Sequence, residues 1–299
     1  MFESFRKLRF NSKSKALLTK AQEIIEGYKK MNIRITLRQL YYQLVSRALI
    51  ENKLKEYHRL SALLTNARYA GIVDWNAIED RNRVPEYPSE WESIKDLMRS
   101  ASYSYRLPRW ENQTYYIELF TEKDALSSIL APIANKYHIH FCANRGYTSA
   151  TAIYDLSKRI AVEMAKGKQI KVLYLGDFDP SGLDMVRDIP ERLQELLEEG
   201  DTHHDFNNVE MIHIALTMPQ IKKYKCPPNP AKKTDPRARK FMALHGESSW
   251  EVDALPPDAM IKLVNESIEE WIDNDLMQEI LEKEKKDLLK LERTIKKMK

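Results

Sequence analysis

Cysteine is nearly absent. Cys142 and Cys226 stand far apart without CxxC spacing in 299 residues, so neither a disulfide framework nor a cysteine zinc site is supported. The seven histidines contain no HExxH pattern, and His203-His204 reads as a solvated loop pair. No apolar run approaches the roughly 20 residues of a membrane-spanning helix. The first ten residues carry Arg6, Lys7 and Arg9 with no apolar stretch behind them, which argues against a secretory signal. The expectation is a cytoplasmic protein with no membrane partner. Repeats and low-complexity segments are also lacking. What is present is a chain 43% hydrophobic, long enough to bury at least one sizeable core and to form two modest domains.

The net charge of +4 hides an asymmetry. Residues 1–110 hold 21 Lys and Arg against 12 Asp and Glu, a net of +9, whereas residues 111–299 hold 27 against 32, a net of −5. The basic part suits a polyanion such as DNA, and the acidic part suits metal ions. A Lys-rich surface that only confers solubility is the bland alternative.

Apolar residues at helical spacing predict a helix over 13–30 (Leu17, Leu18, Ala21, Ile24, Ile25, Tyr28). Thr36 is positioned to cap a second helix whose stripe is Leu37, Leu40, Tyr41, Leu44 and Ala48. A third, over 55–70, ends at Gly71. Three short helices followed by Ile72-Val73-Asp74-Trp75 suggest a helix-turn-helix of the winged type. Its third helix would present Arg59, Thr65, Asn66 and Tyr69 to a groove, with His58 and Arg68 beside them. Trihelical protein-binding modules share this pattern. A linker over 84–110, with a possible helix over 91–98, divides domain 1–110 from domain 111–299. Beyond it strands at 115–120, 138–143, 170–175 and 209–215 alternate with helices at 125–136, 149–166 and 183–199. That alternation predicts an α/β domain with a mainly parallel sheet and helices on both faces, binding ligands beyond the carboxyl ends of its strands.

Three motifs fall at such ends. The strand Leu173-Tyr174-Leu175 runs into Gly176-Asp177-Phe178-Asp179-Pro180-Ser181-Gly182. Two carboxylates at i, i+2 repel unless a cation or donors hold them, and hard oxygen ligands on a sharp turn suit Mg²⁺. In Thr121-Glu122-Lys123-Asp124, a carboxylate could serve as general acid, base or metal ligand and Lys123 could neutralise a phosphate, although an ordinary acidic helix start reads the same way. In Asn144-Arg145-Gly146-Tyr147 the glycine would let backbone approach a ligand and Arg145 could hold a phosphate; a plain turn is the alternative.

Together, Glu122-Lys123, Gly146-Tyr147 and the Asp177 to Gly182 turn closely resemble a Toprim domain, that of the topoisomerase VI A subunit and the related meiotic double-strand-break transesterase. Those enzymes also carry a winged helix with an Arg followed three and four residues later by two aromatics, and Arg38-Gln39-Leu40-Tyr41-Tyr42 fits. The resemblance covers roughly residues 33–217. It implies that Tyr42 attacks a DNA phosphodiester, that Arg38 favours the phenolate or holds the phosphate, and that Mg²⁺ sits on Asp177, Asp179 and Glu122. It further implies a homodimer in which each tyrosine works with the other subunit's metal site, double-strand breaks, nucleoid association, and a separate ATPase partner as in type IIB topoisomerases. Helical geometry agrees on the tyrosine: Tyr42 is turned about 100° from the stripe that holds Tyr41, with Arg38 its i−4 neighbour. Gln39 stands where the family usually has Asp, and Thr148 where it has Pro.

Residues 222–240 are basic and Pro-rich, with Lys232, Lys233, Arg237, Arg239 and Lys240 as possible DNA-backbone contacts. Trp250-Glu251-Val252-Asp253-Ala254-Leu255-Pro256 resembles a short late element of the same domain, its acids being weaker metal candidates. The tail over 268–299 reads as one charged packing or dimer helix. Two other functions stay open: a Toprim nuclease that uses metal-activated water, with Tyr42 structural, and a non-enzymatic DNA-binding protein.

Overall fold

A computed structural model of the chain describes residues 2–31, 33–78, 88–144, 148–198, 206–231 and 234–298. Its elements are α1 (Ser12–Lys30), α2 (Leu37–Ser46), α3 (Leu54–Tyr69), α4 (Ile94–Ser104), β1 (Tyr115–Thr121), α5 (Ser127–Tyr137), β2 (His140–Ala143), α6 (Ala150–Ala165), β3 (Gln169–Leu175), α7 (Pro180–Glu198), β4 (Val209–Ala215), α8 (Met218–Tyr224), β5 (Asn229–Pro230), α9 (Ala238–His245), β6 (Ser248–Ser249), α10 (Pro257–Glu269) and α11 (Asn274–Lys297). No helix among the described residues is long and apolar enough to cross a membrane.

The helix starts are chemically explicit. Asn11 accepts from the Ser14 amide at the head of α1. At α2, Thr36 Oγ1 accepts from the Gln39 amide while Gln39 Oε1 accepts from the Thr36 amide, a reciprocal capping box. Gln39 therefore has a local job where the resembled family carries Asp. The helix stops at Ser46, so Ala48 lies past its end with a positive φ of 54° and drops out of the expected stripe. Gly71 after α3 also has a positive φ, and a Cβ there would meet Ser4 at 3.0 Å. The bare backbone admits the N-terminal arm, whose Phe5 and Arg6 amides both donate to the Tyr69 carbonyl. Phe5 and Trp75 pack edge-on to the Tyr69 ring, and Arg6 lies over it at 4.2 Å. Tyr69 is thus covered rather than presented to a groove. Arg59 and Asn66 are exposed as expected, while Arg68 is half-buried. Among the described residues before β1 there is no strand pair, only isolated bridges at Ser4–Ala70 and Ile35–Ile78.

The sheet is four-stranded and all parallel, in the order β2-β1-β3-β4, so the α/β expectation is met. Alternate residues of its strands serve opposite faces, as the two-residue pleat requires. Phe120, Val172 and Tyr174 pack with Ile153, Leu156 and Ile160 of α6 and with Met185 and Ile189 of α7. Ile117, Leu119 and Leu173 face α5 and α10, and this second core continues without interruption into Leu18, Ile24, Leu40 and Leu64 of the N-terminal helices. Glu118 is fully buried on the α6 face, where Arg159 meets both its oxygens at 2.8 Å and Tyr116 donates to it at 2.8 Å. A buried carboxylate persists only with such bidentate partners.

Three boundaries differ most from the sequence expectation. α7 begins at Pro180 rather than Leu183, because Asp179 Oδ1 accepts from the Ser181 and Gly182 amides and caps it. The linker helix spans Ile94–Ser104 instead of 91–98. The tail helix begins at Asn274 rather than 268: α10 ends at Glu269, and Asp273 caps α11 by accepting from the Asp275 and Leu276 amides. α11 packs inside its own chain, with Glu284 accepting from the Leu107 amide and pairing with Arg109, and Asp287 accepting from Tyr105.

Candidate active site at the strand ends

β1 and β3 are adjacent, with Thr121 paired to Leu175 at their carboxyl ends. The next residues therefore emerge side by side. Glu122 Oε1 accepts from the Asp177 amide at 2.6 Å, which joins the Glu122 and Asp177 motifs through one bond. Gly182 makes the turn possible, since a Cβ there would stand 2.2 Å from the Asp177 carbonyl oxygen.

The late acidic segment is brought to the same place by backbone pairing. Phe178 and Trp250 exchange two backbone hydrogen bonds of 2.8 and 3.0 Å, after which a 3-10 turn over Val252–Ala254 donates the Val252 amide to Asp177 Oδ1 at 2.8 Å. Glu251 and Asp253 are thereby set beside Lys123. The Lys123 ammonium lies 2.7 Å from Asp177, 2.7 Å from Glu251 and 3.0 Å from Asp253. It was expected to meet a phosphate, and instead its contacts are the chain's own acids. Burial works to lower its pKa, but Asp253, Asp177 and Glu251 outweigh that and leave it raised.

From the other side Arg38 of α2 pairs with Glu251 and approaches Asp253 at 3.7 Å. Tyr42 is only 4% exposed; its hydroxyl accepts from Asn229 Nδ2 at 3.4 Å. Burial raises its pKa, the Glu251 charge adds to that, and the Asn229 bond and Arg38 oppose it. Tyr41 is buried as well, edge-on to Tyr42 and donating to Asn52 at 3.0 Å. Helix geometry alone had Tyr42 turned off the core; the Val252–Ala254 turn that packs on α2 supplies a second cover. Arg38, Tyr42, Asn229, Glu251, Asp177 and Asp179 line one cleft of about 440 Å³.

Burial, and next the charge of Asp177, push Glu122 up to about 7, and burial pushes Asp177 up to about 6 against the pull of Lys123. Burial is the first cause for both, so a cation entering here would favour their charged forms. Among the described residues, Glu122, Asp177 and Asp179 each have one oxygen bound by the protein and accept no hydrogen bond on the other. No three His, Cys, Asp or Glu side chains among the described residues converge into a metal cage. Free carboxylate oxygens taken one or two at a time are the kind of donor Mg²⁺ would take, with water filling the rest of its shell.

Lys123 has a testable place in this balance. Lys123→Met leaves Asp177, Glu251 and Asp253 without their shared ammonium, and breaking a buried ion cluster typically costs about 3–5 kcal/mol. The expected result is a clearly lowered melting temperature in EDTA, with Mg²⁺ raising it more than in the unsubstituted protein. An equal response to Mg²⁺ in both would mean that the cation does not enter this cluster.

Arg145, Gly146, Tyr147, Lys232, Lys233, His203 and His204 lie outside the described residues. Arg237 is engaged by Asp184 and Asp235, whereas Arg239 and Lys240 are exposed. Asn229 and Asn52 were not anticipated, and only their positions in the fold reveal them. Glu251 and Asp253, weak metal candidates by sequence, are central to the ion network. The sequence matches no family model. It also matches no curated protein.

Proposed function

We propose that this chain is a Mg²⁺-dependent DNA-cleaving transesterase of the topoisomerase VI A-subunit type, with a winged-helix-like unit over 1–110 and a Toprim-like unit over 111–299. The observation that carries the proposal is the single cleft shared by Tyr42 and Arg38 with Asp177 and Asp179. A phenol, a guanidinium and hard carboxylates around a space of that size are what attack on a phosphodiester needs.

In the proposed reaction the Tyr42 oxygen forms a bond to phosphorus and the bond from phosphorus to the 3′ oxygen of the neighbouring nucleotide breaks. The phenolic proton ends on that 3′ oxygen, and the 5′ phosphate stays on the tyrosine. Asn229 donates to the Tyr42 oxygen and favours its phenolate. Arg38 exchanges Glu251 for a phosphate oxygen when DNA enters. Glu122, whose pKa lies near neutrality, is suited to carry the proton to the leaving oxygen. Mg²⁺ held by Asp177 and Asp179 would supply charge neutralisation at the phosphate oxygens. Arg59, Asn66 and Arg68 on α3 and Arg145, Lys232 and Lys233 are the proposed DNA contacts. A homodimer and a separate ATPase partner belong to the same proposal, as does a place on the nucleoid.

Hydrolysis by water is the second reading. One observation favours it: Tyr42 is buried and its phenol is held above the usual range. End-labelled DNA incubated with protein and Mg²⁺, run on denaturing gels with and without protease, tests the choice. Protease-sensitive protein-linked 5′ ends are expected; free ends alone would support the nuclease, and no cleavage with any divalent metal would support a DNA-binding protein without activity.

A further inference from the structure

We propose that the N-terminal arm is a duplex-DNA contact in its own right, with Lys7, Arg9, Lys13 and Lys15 lying along the phosphate backbone beside the groove that receives α3. The inference rests on the DNA-binding part of the proposed function and not on the cleavage chemistry.

The arm carries one sign of charge. From Ser4 to Gln22 the chain holds six Lys and Arg and no Asp or Glu. Phe2 to Arg9 are all exposed, as are Lys13 and Lys15. Lys20 is neutralised by Glu23 at 2.8 Å, whereas the charged ends of Lys7, Arg9, Lys13 and Lys15 pair with no acid among the described residues. Nor do these charges serve the helix they lead into. The start of α1 contains Lys13 and Lys15 and no acid in its first turn, so cations stand at the positive end of the helix dipole, where anions are favoured. A run of unpaired cations that its own chain does not use is the footprint of an external polyanion.

Unlike a loose basic tail, the arm has a root fixed to α3. Ser4 bridges to Ala70, the Phe5 and Arg6 amides donate to the Tyr69 carbonyl at 2.8 and 2.9 Å, and Gly71 leaves the space that Ser4 occupies. The Phe5 ring stands edge-on to Tyr69 and Trp75 at 6.5 and 5.9 Å, while the Arg6 guanidinium lies over Tyr69 at 4.2 Å. Ala70 comes one turn after Asn66, an exposed residue of the proposed groove face. The basic segment therefore leaves from the end of the helix offered to the groove, where a duplex seated on α3 presents its flanking phosphates. Phe5 and Arg6 are positioning residues here: they hold the arm in place and leave the charges beyond them facing solvent.

The test is duplex affinity across a salt titration, read by fluorescence anisotropy of a labelled duplex without divalent metal. Lys7→Gln, Arg9→Gln, Lys13→Gln and Lys15→Gln are combined in the full chain. Each neutralised phosphate contributes about 0.9 to the slope of log affinity against log salt, so this variant is expected to lose about 3 to 4 of that slope. Its melting temperature should stay unchanged. A matched variant with Lys283→Gln, Lys285→Gln, Lys286→Gln and Arg293→Gln, all exposed on α11, is expected to keep the slope. Phe5→Ala retains every charge and only loosens the root, and it is expected to weaken binding several-fold. An unchanged slope in the arm variant, an equal loss in the α11 variant, or full affinity in Phe5→Ala would each overturn the proposal. Binding to phosphatidylserine vesicles that is lost in the arm variant while the duplex slope is unchanged would overturn it too, by assigning the arm to a membrane surface. If the unsubstituted protein shows no salt-dependent duplex binding, the DNA reading fails as a whole and takes the arm with it; duplex binding that ignores the arm removes the arm alone.

Discussion

Tyr42→Phe is expected to abolish the covalent protein–DNA adduct, with a loss on the order of 10³-fold or more, the scale seen when a nucleophile is removed from a covalent mechanism. The substitution deletes one oxygen, whose hydrogen-bond partner is Asn229 at 3.4 Å, and keeps the ring that packs edge-on to Tyr41. Folding should therefore be nearly unchanged and DNA affinity retained. That separates the chemistry from the structure: a structural tyrosine at this position would leave cleavage intact when only its hydroxyl is lost. Tyr41→Phe is the matched control. It removes a bond to Asn52, so a modest drop in stability and rate is expected, with the adduct still formed.

Asp177→Asn is expected to lower Mg²⁺-dependent cleavage by roughly 10²–10⁴-fold, corresponding to several kcal/mol of lost stabilisation at the phosphate oxygens. The amide keeps an oxygen to accept the Val252 amide but no longer answers the Lys123 ammonium with a charge. Asparagine is the right substitution at Asp179 too, for a structural reason. Asp179 Oδ1 caps α7 through the Ser181 and Gly182 amides, and losing a cap costs about 1 kcal/mol by itself. Asp179→Ala would mix a helix defect with the loss of a ligand, while Asp179→Asn removes the charge and keeps the cap. If Asp177→Asn cleaves at the unsubstituted rate across a Mg²⁺ titration, the carboxylates are not the metal-holding groups.

What could be read from the sequence was local. Strand periodicity placed β1, β3 and β4 within a residue or two, and Thr36 was recognised as the cap of α2. The Asp177 and Glu122 motifs were found because each ends a strand, and adjacency of β1 and β3 then joins them without further information. The misreadings have physical causes. Asp179-Pro180 is a helix-start signal, a capping residue followed by a proline at the first helical position, set on a turn whose carboxylates equally suit a ligand loop. Ala48 fits the apolar stripe by spacing, but the helix ends two residues before it. The position of Lys123 among three acids depends on the pairing of Phe178 with Trp250, a contact between residues distant in sequence that no local pattern encodes. The same holds for Asn52 and Asn229, and for the cover that buries Tyr42. The fold class was therefore legible from spacing, whereas the polar surroundings of the site were set by long-range pairing.

The most direct test of the central claim is mass spectrometry of the adduct. Trypsin cuts after Arg38 and Arg47 and releases Gln39–Arg47, a peptide that holds both Tyr41 and Tyr42. After reaction with DNA and Mg²⁺ and digestion of the DNA, this peptide is expected to carry a 5′-linked nucleotide, with fragmentation placing it on Tyr42. DNA cut to free 5′ ends while the same peptide is recovered unmodified would contradict the account.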